Sequence, residues 1–600
     1  MRTARTPHAP RRDGFVDLAA YAPIGNGRTV ALVAHDGGID WFPLPDLDTP
    51  PVFARLLDAA SGGCITLCPT ADFEVERAYV PGTTMLVTTF STATGRVQVT
   101  DSLNVGSTGA LPWTELARHV EGLEGEVEMA WSVTAGTMLG TASPWLQDSP
   151  HGHVIRLAEI SLGVRCDGVG AQEPGEGPRI DGSFTARAGS DDLLAVVGTF
   201  HEPLRLPDPA SIRRNLTHTR DHWRRWSDLL EYDGAHSEAV ARSALTLKLL
   251  AHGPSGSIAA AATTSLPENA EGLKNYDYRF AWIRDATYTL TTLIQLGQQE
   301  DVHAAVSWLL RLAREQSPDL HVLNRLDGEV PAPEMRSLEV PGWRGIGPVV
   351  AGNGAADQLQ LGVYGDIFDM ASTYAAAGNV IDPATGRMLA DLADTVCDLW
   401  RRRDAGMWEL PQQRHYTSSK MACWHALNCA VTLAELRQID GNTGRWTAER
   451  DRIRDYIERE CWSPQRQAYT WFAGSELLDT SVLLHAISGF DRTERMSSTI
   501  DALREELGRG PLLYRYSGME LEENAFAACS FWMVSALALL DRTDEAHELM
   551  EQMLELANDV GAFSEMIDPA DGAFMGNLPQ ALSHLALLTA AVTLSGQGGR

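Results

Sequence analysis

The chain has 600 residues, more than one hydrophobic core usually fills, so two domains are expected. Its formal net charge at pH 7 is -30, and such an acidic surface repels the phosphates of nucleic acids and anionic lipids. The composition therefore argues against nucleic acid and membrane surfaces as partners. It leaves a small neutral ligand and a homo-oligomer open.

At the amino terminus, residues 1–12 carry four arginines but no apolar run of the length that a signal peptide needs. Elsewhere no segment approaches the ~20 consecutive apolar residues of a membrane-spanning helix. The eight cysteines lack the C-x-x-C spacing of zinc and redox sites, as is typical of free thiols in a reducing compartment. These features predict a cytoplasmic protein.

Residues 14–207 have the pattern of a β-domain. Short apolar runs alternate with Gly, Pro, Asp and Ser, and repeated strands of this length predict a β-sandwich. Residues 35–38 (H-D-G-G) predict a hairpin turn, because glycine accepts the positive φ that such turns need. Residues 168–182, rich in Gly, Glu and Pro, predict an exposed loop.

From residue 208 onward the apolar residues recur at helical spacing. Ile212, Leu216, Trp223 and Trp226 predict an amphipathic helix in a linker over 208–235. Residues 236–600 predict a helical domain. About a dozen helices are expected there, at 239–250, 286–296, 304–314, 356–377, 386–402, 419–437, 445–460, 480–488, 494–507, 524–540, 543–557 and 579–595.

A dozen helices joined by alternating short and long loops fit an (α/α)6 toroid, but the helical period alone would equally allow a solenoid. The long loops are rich in aromatic residues. They cover 262–285, 321–353, 406–419, 514–524 and 559–580.

Three stretches in these loops carry the chemistry that a carbohydrate site needs. Residues 275–285 read N-Y-D-Y-R-F-A-W-I-R-D, residues 406–409 read G-M-W-E, and residues 563–569 read F-S-E-M-I-D-P. Aromatic faces cover the apolar faces of a sugar, and Arg and Asp bind its hydroxyls. Each of the last two stretches places a Glu at a turn beside apolar or aromatic residues.

Several motifs, in this order, resemble the bacterial branch of glycoside hydrolase family 15, which contains glucoamylases, glucodextranases and trehalases. They are N-Y-D-Y-R-F-A-W-I-R-D-A, G-M-W-E, L-Y-R-Y, A-C-S-F-W and G-N-L-P-Q-A-L-S-H. The amino-terminal sequences I-G-N-G-R-T-V-A-L and G-I-D-W-F-P-L-P also resemble that branch. The resemblance implies an amino-terminal β-sandwich followed by an (α/α)6 toroid, the six-hairpin glycosidase architecture.

The resemblance also implies catalytic roles. Glu409 matches the general acid, Glu565 matches the general base, and Tyr278 matches a tyrosine that orients the attacking water. Such a pair cleaves a glycosidic bond with inversion. Two positions depart from the family: Met566 stands where many bacterial relatives have a second Glu, and Leu410 replaces an acidic residue of the fungal enzymes.

Binding roles follow from the same resemblance. Arg284 and Asp285 match the pair that bonds the hydroxyls of the non-reducing glucose. Arg515 matches an arginine that contacts the first sugar. Trp282 and Trp408 are predicted to form walls of the pocket, and Trp343 is predicted at the rim, beside the leaving sugar.

No cofactor or metal site is predicted. His415, His425, His485 and His584 lack the i, i+4 pairing of a zinc site on one helix, and neither a G-x-S-x-G elbow nor a phosphate-binding glycine loop is present.

The sequence therefore predicts an inverting, exo-acting hydrolase that releases β-D-glucose from the non-reducing end of a small α-glucoside. Trehalose and maltose- or isomaltose-type sugars are the expected substrates. Two alternatives stay open, an inverting disaccharide phosphorylase and a catalytically silent sugar-binding protein. The retention of Glu565 argues against a phosphorylase, which needs no general-base carboxylate.

Overall fold

A computed structural model of the chain describes residues 6–7, 10–272, 274–332 and 334–596. It shows a strand-rich amino-terminal half followed by a helical half, as predicted. The strands of the first half are β1 Thr6–Pro7, β2 Ala22–Gly25, β3 Val30–Val33, β4 Ile39–Pro43, β5 Pro51–Phe53, β6 Gly63–Pro69, β7 Glu74–Tyr79, β8 Leu86–Ser91, β9 Gly95–Leu103, β10 Thr114–Ala135, β11 Trp145–Ser149, β12 Gly152–Leu157, β13 Ile160–Asp167, β14 Glu173–Pro174, β15 Arg179–Arg187 and β16 Asp191–Phe200.

The long strand β10 connects two layers of antiparallel sheet. Its first part pairs with β9 and β16, its second part pairs with β6 and β15, and the register with β9 shifts between Gly122 and Glu124. Apolar side chains from both layers, such as Val33 and Leu67 in one and Phe90 and Val99 in the other, share one hydrophobic core. In β8 buried and partly exposed residues alternate, as expected for a strand with one face on a core.

Two local predictions in the sheet have different outcomes. The predicted hairpin turn at 35–38 joins β3 to β4. The predicted loop at 168–182 is wrong in part, because residues 173–174 and 179–182 belong to β14 and β15. Strand β15 pairs along β10, and this pairing satisfies the backbone N–H and C=O groups of both strands. The short Gly-rich sequence does not indicate the pairing, because the partner strand lies elsewhere in the chain.

The helical half contains α1 to α13 among the described residues. Their bounds are α1 Pro209–Ser227, α2 Ser237–Leu250, α3 Ile283–Gln295, α4 Gln299–Gln316, α5 Gly362–Ala376, α6 Pro383–Leu399, α7 Thr417–Glu435, α8 Thr443–Glu460, α9 Leu484–Ile487, α10 Glu494–Leu507, α11 Ala527–Leu539, α12 Thr543–Glu555 and α13 Ala581–Leu594. Short strands lie in the loops, at Ala281–Trp282, Leu323–Asn324, Arg336–Leu338, Val349–Ala351, Trp462–Ser463, Ala468–Tyr469, Gly508–Arg509, Leu512–Leu513, Ala525–Phe526, Met566–Ile567 and Phe574–Met575.

Six helices form a closed inner ring. Helices α3, α5, α7, α9, α11 and α13 each contact the next, and α13 contacts α3. The helices between them, α2, α4, α6, α8, α10 and α12, pack outside this ring. Burial follows this arrangement, since residues 527–537 of α11 are all buried whereas α12 buries one face. A closed ring is an (α/α)6 toroid and not a solenoid.

The predicted helix at 356–377 is wrong at its start. Residues 354–357 form a 3-10 turn, the chain is irregular at 358–361, and α5 begins at Gly362. The Leu361 N–H donates to the Asp404 carboxylate at 3.0 Å, and the Gln358 amide donates to the Glu409 carbonyl at 3.0 Å. These bonds tie the irregular segment to the loop before α7. In a continuous helix the Leu361 N–H would instead bond within the helix.

Hydrogen bonds connect the sheet to the loops of the helical half. The Trp41 indole donates to the Ala262 carbonyl at 2.7 Å, and the Arg279 guanidinium donates to the Thr49 carbonyl at 2.8 Å. Buried Arg77 forms an ion pair with Asp559 at 2.5 Å. Across the described ranges no helix is long and apolar enough to cross a membrane.

Candidate active site

A cavity of about 420 Å³ lies where the loops that precede the inner helices gather. It brings together eight of the nine residues predicted for the site: Tyr278, Trp282, Arg284, Asp285, Trp408, Glu409, Arg515 and Glu565. A second cavity, of about 340 Å³, runs along the interior of the ring and is lined mainly by helix residues. Because the predicted motifs converge on the first cavity, we take it as the candidate active site.

Glu409 lies on a turn before α7, with its backbone at a φ of 60°. Its carboxyl accepts a hydrogen bond from the Trp282 indole N–H at 2.7 Å. Burial raises the pKa of Glu409 above the usual value of a glutamate, while Arg284 and the indole N–H partly offset the rise. A carboxyl in this position can hold a proton at a higher pH than an exposed glutamate and deliver it to a sugar oxygen.

Trp408 is a wall of the cavity, as predicted, but it is not the bonding partner of Glu409. Its indole N–H donates to Asp479 at 2.8 Å, and its ring packs against Phe526 and Trp532 with centroids 5.9 and 6.0 Å away. The tryptophan that contacts the Glu409 carboxyl is therefore Trp282, and not the neighbour in sequence.

Glu565 lies on another loop, directly before the short strand 566–567. That strand pairs with 525–526 and 574–575, which fixes the backbone of Glu565. The Asn577 N–H donates to the carboxyl at 3.2 Å, and the side chain is 2% exposed. Burial, followed by the nearby Glu268, raises the pKa of Glu565 well above its usual value, against the opposing effect of Arg515.

Tyr278 lines the same cavity as these two carboxyls, beside Trp282 with ring centroids 5.4 Å apart. Burial and the neighbouring Glu565 raise the pKa of Tyr278 well above its usual value. The phenol therefore keeps its proton and can donate a hydrogen bond to a water molecule or to a carboxylate.

Arg284 and Asp285 form an ion pair at the start of α3. The Arg284 Nε donates to Asp285 at 2.8 Å, and its Nη1 donates to the Met407 carbonyl at 2.9 Å. The Asp285 side chain is only 2% exposed. The pair is fixed to the loop that carries Glu409, so a sugar bound to it would be positioned against that carboxyl.

Arg515 lines the cavity but is mostly engaged by acids. Its Nε and Nη2 donate to Glu523, and Nη2 also donates to Glu268 at 2.8 Å. These bonds use Nε and Nη2 and do not involve Nη1. That group is the part of Arg515 that a sugar hydroxyl could contact.

Trp343 is the one predicted residue that does not line the cavity. It is 4% exposed, and its indole N–H donates to the Val16 carbonyl of the sheet half at 3.1 Å. The prediction that it forms the rim does not match this position. Because its indole is large and apolar, Trp343 is buried between the two halves. The sequence alone does not distinguish a loop tryptophan that packs between domains from one that contacts a sugar.

Other residues of the cavity were not identified from the sequence. Lys274 lines it, and Gln358, Asn353 and Gln580 supply amides to its wall. Glu268 and Glu523, which do not line the cavity, form a charged group with Arg515 and Lys274. The long, aromatic-rich loops of the sequence contain Glu268, Lys274, Asn353, Glu523 and Gln580, and that position was the available signal. No group of three or more potential metal-binding side chains occurs within the described ranges.

Comparison with known proteins identifies a family and several relatives of this chain. Residues 234–592 match the family model described as Glycosyl hydrolases family 15, and residues 16–134 match one described as Trehalase-like, N-terminal. The trehalase of Thermoplasma acidophilum is 31% identical over 578 residues, which cover 94% of this chain and 98% of that protein. The trehalase of Mycobacterium tuberculosis is 30% identical, with coverage of 98% and 91%.

A structural relative supports the fold alone. The crystal structure of a bacterial glucoamylase complexed with acarbose superposes with a TM-score of 0.68 at 12% identity, covering 99% of this chain and 97% of that one. At this identity the similarity concerns the architecture of sheet and toroid, which agrees with the closed ring of inner helices.

Proposed function

This chain belongs to glycosyl hydrolase family 15, and from that premise we propose that it is an inverting, exo-acting α-glucosidase with trehalose as its main substrate. That it is a glycoside hydrolase acting on a carbohydrate follows from the family. The linkage, the direction of attack and the residue roles are the proposal. The observation that carries it is one cavity lined by two carboxyls from separate loops and by the Arg284–Asp285 pair.

The reaction is a single displacement. Glu409 gives its proton to the glycosidic oxygen as the bond from that oxygen to the anomeric carbon breaks. Glu565 takes a proton from water as the water oxygen bonds to the anomeric carbon from the opposite face. One water is consumed, the leaving sugar departs neutral, and both carboxyls return to their starting states by exchange with solvent.

The glucose that is transferred needs a fixed position between these carboxyls. Arg284 and Asp285 would bond its hydroxyls with charge-assisted hydrogen bonds, while Trp282 and Trp408 would cover its apolar faces. Tyr278 would hold the attacking water beside Glu565. Because every α-glucoside presents the same terminal glucose, this part of the site would serve all substrates.

Three observations favour a small disaccharide, and trehalose in particular. The cavity of about 420 Å³ falls in the range of roughly 300–1,000 Å³ that is usual for small-molecule pockets. The amino-terminal family model is described as trehalase-like, and the two relatives compared above are named trehalases. The cytoplasmic location stays a prediction from the sequence, and it fits the same substrate.

The test is an assay of glucose release from trehalose, maltose, isomaltose and maltotriose, with NMR on fresh product. Inversion of trehalose should give one α- and one β-glucose, whereas retention would give two α-glucose molecules. Two α-glucose molecules would overturn the single displacement, and a preference for maltotriose would overturn the assignment to a disaccharide. Glucose 1-phosphate formed in phosphate buffer would instead identify a phosphorylase.

A further inference from the structure

A buried group of charges lies behind the Glu565 side of the cavity. Arg515 donates to both Glu268 and Glu523, and the Lys274 ammonium lies 2.8 Å from Glu523. Glu268 and Glu523 are 1% and 3% exposed. We call Glu268, Lys274, Arg515, Glu523 and Glu565 the carboxyl cluster.

The carboxyl cluster has more acids than cations. Its three glutamates and two cations would carry a net charge of -1 if all were ionised. An unbalanced charge in a buried environment is costly, and such sites normally keep a proton instead. The cluster is therefore expected to retain one proton near neutral pH.

Glu523 is the least suited of the three to hold that proton. It contacts both cations, Arg515 through two N–H groups and Lys274 through its ammonium. Burial would raise the pKa of Glu523, but these two cations outweigh burial and lower it. The retained proton is thus left to Glu268 and Glu565.

One oxygen of the Glu268 carboxyl lies in an environment that favours the protonated form of this side chain. Its Oε2 accepts from Arg515, while its Oε1 is buried and has no hydrogen-bond partner among the described residues. An ionised carboxylate with one unsatisfied buried oxygen is costly, whereas a neutral carboxyl is less so. Burial raises the pKa of Glu268 to about 7, although Arg515 opposes the rise.

The backbone places Glu268 next to the loop of Glu565. The Gly576 N–H donates to the Pro267 carbonyl at 2.7 Å, and a Cβ on Gly576 would lie 2.7 Å from a carboxyl oxygen of Glu565. The charge on Glu268 therefore acts on Glu565. The titratable and charged groups that face these two carboxyls are Lys274, Tyr276, Tyr278, Glu409, Arg515, Glu522 and Glu523.

We propose that Glu268 is a positioning residue that holds the proton retained by the carboxyl cluster, so that Glu565 is ionised when substrate binds. This inference rests on the proposed role of Glu565 as general base. A neutral Glu268 still accepts a bond from Arg515, which keeps that side chain in place at the cavity wall. An ionised Glu268 would instead compete with Glu565 for the same cation.

The test is the pH profile of kcat/KM for Glu268→Gln on trehalose. Glutamine is neutral, as the proposal requires of Glu268, so Glu523 and Glu565 balance Arg515 and Lys274 in the variant as in the wild type. The acid limb, set by Glu565, should therefore stay within about half a pH unit of the wild type, with kcat at neutral pH kept within about tenfold. An acid limb that moves down by about one pH unit or more would show that Glu268 is ionised in the wild type, and that result, or a loss of more than 100-fold at every pH, would overturn the inference.

Two further variants keep the outcome interpretable. Glu523→Gln removes an acid that is ionised in the wild type, so its acid limb should move down by about one pH unit. An unmoved limb there would show that charge in the cluster does not act on Glu565, and it would count against the inference even if Glu268→Gln does not fold. Glu520→Gln removes an exposed carboxylate from the same loop and should leave the limb unchanged. A shift in Glu520→Gln as large as in Glu523→Gln would show that loop charge in general sets the limb, and it would also count against the inference.

Failure of this inference is distinguishable from failure of the proposed function. If Glu565→Gln keeps near-normal turnover, Glu565 is not the base and the proposed function fails. If Glu565→Gln is inactive while the acid limb of Glu268→Gln moves down by about one pH unit or more, only the role of Glu268 fails.

Discussion

The two sides of the cavity hold the same residue type in different ways. On one side a side-chain donor, the Trp282 indole, contacts Glu409, which lies on a turn and is partly exposed. On the other side the main chain holds Glu565, which is 2% exposed and borders a cluster with excess acid. In the proposed mechanism, solvation and neighbouring charge, and not the identity of the residue, set which carboxyl donates a proton and which accepts one.

The largest expected effect distinguishes Glu409 from Glu565 by how the rate of each variant depends on the leaving group of the substrate. Glu409→Gln and Glu565→Gln should each lower kcat on trehalose by at least ~10²-fold, the lower end of general acid or base catalysis. On α-glucosyl fluoride, whose leaving group needs no proton, Glu409→Gln should recover most of the rate whereas Glu565→Gln should not. Steady-state kinetics on both substrates measure this, and recovery by Glu565→Gln alone would mean that the roles are reversed.

The next largest effect concerns the Arg284–Asp285 pair, which is proposed to hold the glucose that both carboxyls act on. Asp285→Asn leaves Arg284 without its charged partner in a site where Asp285 is 2% exposed, at a cost of about 2–5 kcal/mol in binding. We expect kcat/KM to fall by a similar factor for trehalose, maltose, isomaltose and α-glucosyl fluoride. A loss confined to one linkage would move Asp285 out of the glucose position.

A smaller effect should appear on the Glu565 side only. Gly576 has a φ of +70°, and a Cβ there would lie 2.7 Å from a carboxyl oxygen of Glu565, so Gly576→Ala should displace that carboxyl and lower kcat by about 10-fold to 10²-fold. Gly572→Ala is the matched control, with a φ of +77° and no atom within 4 Å of the added Cβ. Both variants should lose similar stability in urea unfolding, and equal loss of activity would contradict the contact with Glu565.

The smallest effect concerns the pH profile of the Glu409 side. The Trp282 N–H stabilises the ionised form of Glu409, so Trp282→Phe should raise the pKa of Glu409 further above its usual value. Since activity is lost as pH rises through that pKa, the alkaline limb should move up by about one pH unit. The acid limb should stay in place, and kcat/KM against pH on trehalose measures both.

Much of the architecture was predictable because period and turn chemistry are local. The helix at 494–507 has its predicted limits, and most other helices differ from prediction by a few residues at each end. The start of α5 was not predictable, since its irregular segment is held by Asp404 and Glu409, which follow more than 40 residues later. Closure of the ring also depends on the contact of α13 with α3, which no local pattern encodes.

The site was predictable to the extent that each residue lies within a contiguous motif. Eight predicted residues line one cavity because their loops precede inner helices and so converge at one end of the ring. Glu268 and Glu523 were not identified, since each is an ordinary loop acid until Arg515 is placed between them. The predicted position of Trp343 does not match the structure, because its hydrogen-bond partner, Val16, belongs to the other half of the chain.

The hydrogen bonds from Trp41 to Ala262 and from Arg279 to Thr49 bear on protein engineering. They tie both ends of the segment that leads to Tyr278 and Trp282 to the sheet half, although no described residue of that half lines the cavity. A shortened enzyme made of residues 236–600 would lose these anchors, and grafting the helical half onto a foreign partner would require equivalent acceptors and donors. Directed evolution of substrate range therefore has useful targets far from the sugar, in the strands and turns around residues 41 and 49.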